Sequence, residues 1–190
     1  YARIVEAVQQ LSAGAELSQD GLDAYADFAS ALQIALDAAE GESSLLAAAL
    51  GDASALSRDE LTSNAAVLLF GGIETTEGMI ANLLHHLLST GLFAEVASDP
   101  VLLDSAIEES LRMEPAAAVL DRYATTNLER AGVAIPRGDL VILSMASANR
   151  DEALFADPDR FDPRRANATL HTTFATGPHV CLGMHLARLE

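Results

Sequence analysis

The run SRDELTSNAAVLLFGGIETTEGMIANLLHHLLSTG, from Ser57 to Gly91, constrains the fold more than any other feature of the chain. Ser57 and Glu60 have the spacing of a capping box, apolar residues recur at helical intervals, and Gly91 stands where a C-terminal glycine belongs. A helix over the whole run is roughly 50 Å long at 1.5 Å per residue. Near its centre lies GGIETT, Gly71 to Thr76. Each mid-helix glycine costs about 1 kcal/mol relative to alanine. The missing side chains therefore answer to something lying against that face, either a flat ligand or another backbone at a helix crossing. Glu74 and Thr75 follow at once, and an acid in a mostly apolar stretch needs a partner or a chemical role. Glu74 and Glu77 also interrupt the middle of the run, which argues against a bilayer span and for no membrane segment in this chain.

The remaining pattern is mostly helical. RIVEAVQQL, LDAYADFASALQIALDAA and ESSLLAAALGD carry helical spacing, and another helix is expected over about Val101 to Met113, ended by Pro115. Beyond it AVLDRYATT, GVAI and DLVILSM are short and β-rich, with Pro136-Arg137-Gly138 as a turn between two of them. SANRDEALF reads as a short helix, ADPDRFDPRRANATLHTT as an aperiodic loop, and LGMHLARLE as a final helix directly behind Cys181. The fold class is mainly α with a small β region. The chain starts at Tyr1, and Glu190 falls inside a helical pattern, so residues 1–190 are read as a single incomplete domain truncated at both ends.

Charge narrows the function classes. The net charge is −17, which disfavours nucleic acid as a partner. Residues 1–110 hold 18 acids and two arginines, whereas residues 111–190 hold 10 acids and nine arginines, and the chain has no lysine. Arginine in place of lysine, with abundant alanine, suggests a GC-rich genome. One cysteine forms no internal disulfide, so nothing points to an oxidising compartment and a cytoplasmic location is expected.

That cysteine lies in FATGPHVCLG, Phe174 to Gly183. A lone cysteine is often a small core hydrophobe. Here Gly177 and Gly183 permit a tight loop, and backbone N–H groups around sulfur favour a thiolate. One thiolate cannot build a zinc or iron–sulfur site of the usual kind, but it suffices as an axial ligand of haem iron. A nucleophile with His179 as base is a second possibility, although nothing else in the chain completes it. Upstream, EESLR places Glu109 and Arg112 at i, i+3 on one helix face, by itself an ordinary surface ion pair. DRY adds Arg122, and RFDPRR adds Arg160, Arg164 and Arg165.

The order GGxETT, ExxR, a PxRF-like stretch and FxxGxHxCxG resembles the haem-thiolate monooxygenases, the cytochromes P-450, and specifically the C-terminal half of a bacterial soluble member. The resemblance implies a partial cytochrome P-450 fold: long central helix, ExxR helix, short strands, meander loop, cysteine loop and following helix. It implies haem b as cofactor, with Cys181 as axial iron ligand. Phe174 would pack against the haem, His179 and Arg122 would contact propionates, Gly177 and Gly183 would shape the loop, and Gly71 and Gly72 would lie over the oxygen-binding face. Glu74 and Thr75 match the acid–alcohol pair that delivers protons during dioxygen activation. Glu109, Arg112 and Arg165 match the family's structural network. Ala175 departs from the pattern, standing where many members have glycine.

The implied activity is insertion of one oxygen atom from O2 into a small organic substrate, with electrons from NAD(P)H through a ferredoxin-type redox partner. That partner is expected to dock near Arg188 and the arginine-rich loop, and the piece alone is expected to be inactive. Peroxygenase or isomerase chemistry is the alternative within the family, disfavoured by the intact Glu74-Thr75 pair, and a non-catalytic helical scaffold is the alternative outside it.

Overall fold

A computed structural model describes residues 3, 6, 16, 18–38 and 56–190. The helix expected over ESSLLAAALGD lies outside them, as does RIVEAVQQL apart from Arg3 and Glu6. The chain divides at Gly71 into two compact bodies, Tyr1–Gly71 and Gly72–Glu190.

In the first body, helix α1 spans Gln19–Ala38. It starts three residues before the expected Leu22, because the Ser18 side chain accepts from Gly21 N at 3.2 Å and opens the first turn. Helix α2 spans Arg58–Thr90. Its capping box is formed: Ser57 N donates to Glu60 Oε2 at 2.7 Å and Glu60 N donates to Ser57 Oγ at 3.3 Å. The start of α2 is tied to α1 by Gln33 Nε2 donating to Thr62 Oγ1 at 3.0 Å and by the Arg58–Asp37 ion pair at 2.7 Å. At the far end of α2, Gly91 has φ +72°, the left-handed conformation that closes helices most readily as glycine. By length and a mean hydropathy of 1.2 over its most apolar window, α2 could cross a membrane. Glu74 and Glu77 oppose that, since a bilayer would have to desolvate both.

The second body is organised around helix α4, Pro100–Met113, reached through the short α3, Phe93–Ala97. Asp99 caps α4 by accepting from Val101 N at 3.0 Å and Leu102 N at 3.2 Å, and Pro100 occupies the first turn, where a missing N–H costs nothing. Leu102 and Ala106 of α4 are buried with Leu87 of α2, Val96 of α3 and Phe161 from the later loop. His86 stacks on Phe161 with ring centroids 5.0 Å apart, and burial pushes its imidazole pKa down.

Four short strands follow: β1 Val119–Tyr123, β2 Leu128–Arg130, β3 Val133–Ile135 and β4 Leu140–Ser144. They pair as two antiparallel ribbons, β1 with β4 (Val119 opposite Ser144) and β2 with β3 (Leu128 opposite Ile135). Strand β2 carries no β-rich signature. It is set by the turn at Ala131 and Gly132, whose φ values of +50° and +79° match the twist of a tight hairpin. The turn expected at Pro136-Arg137-Gly138 is present, with Asp139 N donating to Pro136 O at 3.2 Å.

Two expected helices differ. The helix expected over SANRDEALF is shifted to α5, Met145–Ala148, begun by the Ser144 side chain and sharing only Ser147 and Ala148 with that stretch. Its continuation is lost because the Asp151 carboxylate accepts from Ala153 N at 2.9 Å, a local bond that competes with the helical ladder. Behind Cys181 the chain makes turns, and helix α6 is confined to Leu186–Leu189. The cysteine therefore has no helix starting directly at its back.

Candidate haem-thiolate site

The deepest charges in the second body are Glu109 and Arg112, both 0% exposed. One turn of α4 sets them face to face, with Arg112 Nε and Nη2 each donating to the Glu109 carboxylate at 2.8 Å. Arg165 arrives from the long loop and donates from Nε to Glu109 Oε1 at 2.9 Å. Asp162 N adds a fourth donor at 3.1 Å. Two further guanidinium donors reach backbone: Arg112 Nη1 donates to Asn149 O at 2.8 Å, and its Nη2 donates to Pro158 O at 2.9 Å. Arg165 donates to the carbonyls of Ala156, Asp157 and Arg160, so one carboxylate and two guanidiniums pin the whole loop to α4. A charge cluster this dry persists only when every donor and acceptor is matched.

Asn149 extends the cluster toward the cysteine loop. It is fully buried; its Oδ1 accepts from Thr172 N at 2.7 Å, and its Nδ2 donates to Thr173 Oγ1 at 2.9 Å. Thr173 Oγ1 in turn donates to Leu111 O of α4 at 2.6 Å. The next residue, Phe174, is half-buried, and its carbonyl accepts from Cys181 N at 2.9 Å, closing the loop that carries the thiol. Cys181 is exposed. A side chain at Gly183 would come within 4.0 Å of its sulfur, and Gly177 has φ +77°. His179 ends the short turn Gly177–His179 and is exposed. Among the described residues no hydrogen bond joins it to the Cys181 thiol, so the nucleophile–base arrangement lacks its central contact.

On α2, Glu74 is half-buried and Thr75 is exposed. No described atom lies within 4 Å of a Cβ placed at Gly71 or Gly72. Just past Thr75, the groove of about 380 Å³ lined by Thr76, Met79 and Ile80 of α2, Ile107 and Ser110 of α4, and Ala187 of α6 brings these three helices to one place. Arg122 is exposed on β1, with Nη1 donating to Asp121 O at 2.8 Å. An exposed thiol on a closed loop fits a haem held through sulfur.

The cytochrome P-450 family profile matches residues 98–190, which contain the buried charge cluster and the cysteine loop. The cytochrome P-450 YjiB of Bacillus subtilis is 45% identical over 136 residues, 71% of this chain and 34% of that protein. The vitamin D(3) 25-hydroxylase of Pseudonocardia autotrophica is 42% identical over 153 residues, 78% of this chain and 37% of that protein. The solved structure of the cytochrome P-450 CYP109B1 from Bacillus subtilis superposes with a TM-score of 0.80 at 35% identity, covering 92% of this chain and 50% of that one. The chain belongs to the cytochrome P-450 family. It spans about a third of the length of these curated relatives.

Family membership makes the departure at Ala175 interpretable. Ala175 has φ +57°, in the left-handed region where a Cβ costs about 1–2 kcal/mol. This cytochrome P-450 thus builds strain into the cysteine loop where glycine would relieve it. Ala175→Gly is expected to raise stability by about 0.5–1 kcal/mol after the extra unfolded-state entropy of glycine is subtracted. Ala175→Val should lower it, and paired thermal melts check both signs.

The arginines expected to face a redox partner are engaged within the chain. Arg188 is engaged within the chain, with its guanidinium on Glu108 and over the Phe174 ring at 4.6 Å. Arg164 of the arginine-rich loop is likewise paired with Glu95. Both therefore have intramolecular partners that a docking protein would have to replace. Glu108, His171, Asn149, Thr172 and Thr173 were not singled out from sequence. The only available signal was a second acid beside Glu109 in EESLR, because nothing in SANRD or LHTTF marks Asn149 or the threonines as buried.

Proposed function

We propose that this chain carries the thiolate-binding and proton-delivery half of a bacterial cytochrome P-450 monooxygenase. Its reaction would insert one oxygen atom from O2 into a small organic substrate, with electrons from NAD(P)H through a ferredoxin-type protein. The observation that carries the reading is the placement of Cys181: the only cysteine, exposed, on a loop closed by the Phe174 carbonyl and anchored to a buried Glu109–Arg112–Arg165 cluster.

Haem, when bound, supplies dioxygen binding, electron storage and O–O bond cleavage. The protein residues do the rest. Cys181 would hold the cofactor through its thiolate, an electron-rich ligand of the kind that favours O–O cleavage. Phe174, Gly177 and Gly183 shape the loop around that sulfur, with His179 and Arg122 available for the propionates. Gly71 and Gly72 keep the opposite helix face low. The Thr75 Oγ1 hydroxyl holds a proton at the reacting centre, and the Glu74 carboxylate resupplies it from solvent.

Two measurements test this. The reduced, carbon monoxide-treated full-length parent should show the strongly red-shifted Soret band of thiolate ligation, and its absence ends the reading. In a full-length parent, Thr75→Val should keep haem and substrate binding and much of the reductant consumption. Product formed per reductant should fall, with hydrogen peroxide rising to match. If Thr75 only packs against a neighbouring helix, coupling stays unchanged and stability drops by at most about 1 kcal/mol.

A further inference from the structure

Glu108 lies one residue before the buried Glu109, but its side chain points to a different set of partners. Its Oε2 accepts from His171 Nε2 at 3.1 Å. The other ring nitrogen, His171 Nδ1, accepts from Thr173 N at 3.2 Å, which places the imidazole proton on Nε2. Arg188 grips the same carboxylate as a fork, Nε on Oε1 and Nη2 on Oε2 at 3.2 Å. Burial alone would raise the Glu108 pKa, but the hydrogen bonds from His171 and Arg188 outweigh it and hold the group at about 2. The two partners stand on either side of Cys181 in the chain, and both also meet Phe174. The Arg188 guanidinium lies 4.6 Å from the ring centroid, and the His171 ring is 5.8 Å away. Phe174 is the residue whose carbonyl receives the Cys181 amide.

We propose that Glu108 is a positioning residue for Cys181, a carboxylate clasp that closes the cysteine loop by holding His171 before it and Arg188 after it. Bringing the ends of a flexible segment together costs entropy, and a bidentate ion pair with a second hydrogen bond offsets that cost at the two points where the loop meets α4. Glu109 acts elsewhere, tying the arginine-rich loop to α4, while Glu108 ties the thiol-bearing loop to the same helix. The proposal rests on Cys181 being the haem ligand. That reading fails on the wild-type carbon monoxide spectrum, whereas the clasp is read by backbone exchange, so the two failures are distinguishable.

The test is hydrogen exchange on the isolated protein carrying Glu108→Gln, which keeps the shape but removes the charge and turns amide hydrogens toward two donors. Amides of residues 174–181 should lose at least about tenfold of their protection, while those of 79–90 in α2 change by less than about twofold. The fraction of haem showing the red-shifted band should fall in parallel. Unchanged protection around Cys181 overturns the clasp, as does an equal loss across both segments, which would mark Glu108 as a general stabiliser. Should Glu108→Gln not fold, Arg188→Lys keeps the charge but loses the fork, and the same two patterns decide.

Discussion

Cys181→Ser in a full-length parent is expected to leave the fold in place and abolish the red-shifted carbon monoxide band completely, with oxygenation falling to background. The two effects separate because of where the residue sits. Its side chain is exposed, and its fold-relevant contact is the backbone N–H to the Phe174 carbonyl, which serine makes equally well. Surface replacements of this kind usually alter stability by no more than about 0.5 kcal/mol. Serine cannot replace the ligand, because an alkoxide is far harder to form than a thiolate. Spectra and thermal melts on the same preparation check both halves. A variant that retained the band would remove Cys181 from the site. A variant that lost its fold would assign the residue to packing.

Arg112→Ala should have the opposite signature: loss of folded, haem-retaining protein rather than loss of one spectral feature. The substitution empties a fully buried site and removes both of Arg112's donors to Glu109. It also leaves the carbonyls of Asn149 and Pro158 without their guanidinium donors. Arg165 and Asp162 N remain on the Glu109 carboxylate and soften the loss, yet they supply no replacement for those carbonyls. Breaking a buried pair costs roughly 3–5 kcal/mol. Domains have about 5–15 kcal/mol in total, so much of the margin goes. Arg112→Lys should recover only part of it, because an ammonium cannot fork to a carboxylate while reaching two carbonyls. Chemical denaturation of the three proteins, with haem content measured alongside, gives the ranking. If Arg112→Ala expressed well with full haem and a wild-type midpoint, the cluster would be ornamental to the fold.

The two substitutions mark where sequence reasoning stops. The ends of α2 were readable because Ser57, Glu60 and Gly91 act on backbone groups three or four residues away. The stop of α4 was equally local, set by Pro115, whereas its Asp99 cap emerged only in the structure. Cys181 stood out because it is the chain's only cysteine and glycines bound its loop. The mainly helical class followed from apolar periodicity, which is a property of the sequence alone.

Burial was not readable in the same way. Glu109 and Arg112 have the spacing of any surface i, i+3 pair, and only Asn149, Pro158 and Arg165, 37 to 56 residues away, make them dry. Strand β2 was invisible because its side chains carry no preference and its turn imposes the pairing. The helix after Cys181 began later than its pattern suggested because turns around the thiol take precedence over apolar spacing. Glu108 and Glu109 are adjacent and chemically identical, yet their side chains leave α4 about 100° apart. One meets the arginine-rich loop and the other meets Arg188, 80 residues on. The sequence by itself determined the long α2 with both its ends, the stop of α4 and the residue able to bind a metal through sulfur, since each depends on groups within a turn of one another. Which charges are buried, and which residues hold the thiol in place, only the tertiary structure decided, because those contacts join segments whose separation along the chain carries no periodic signal.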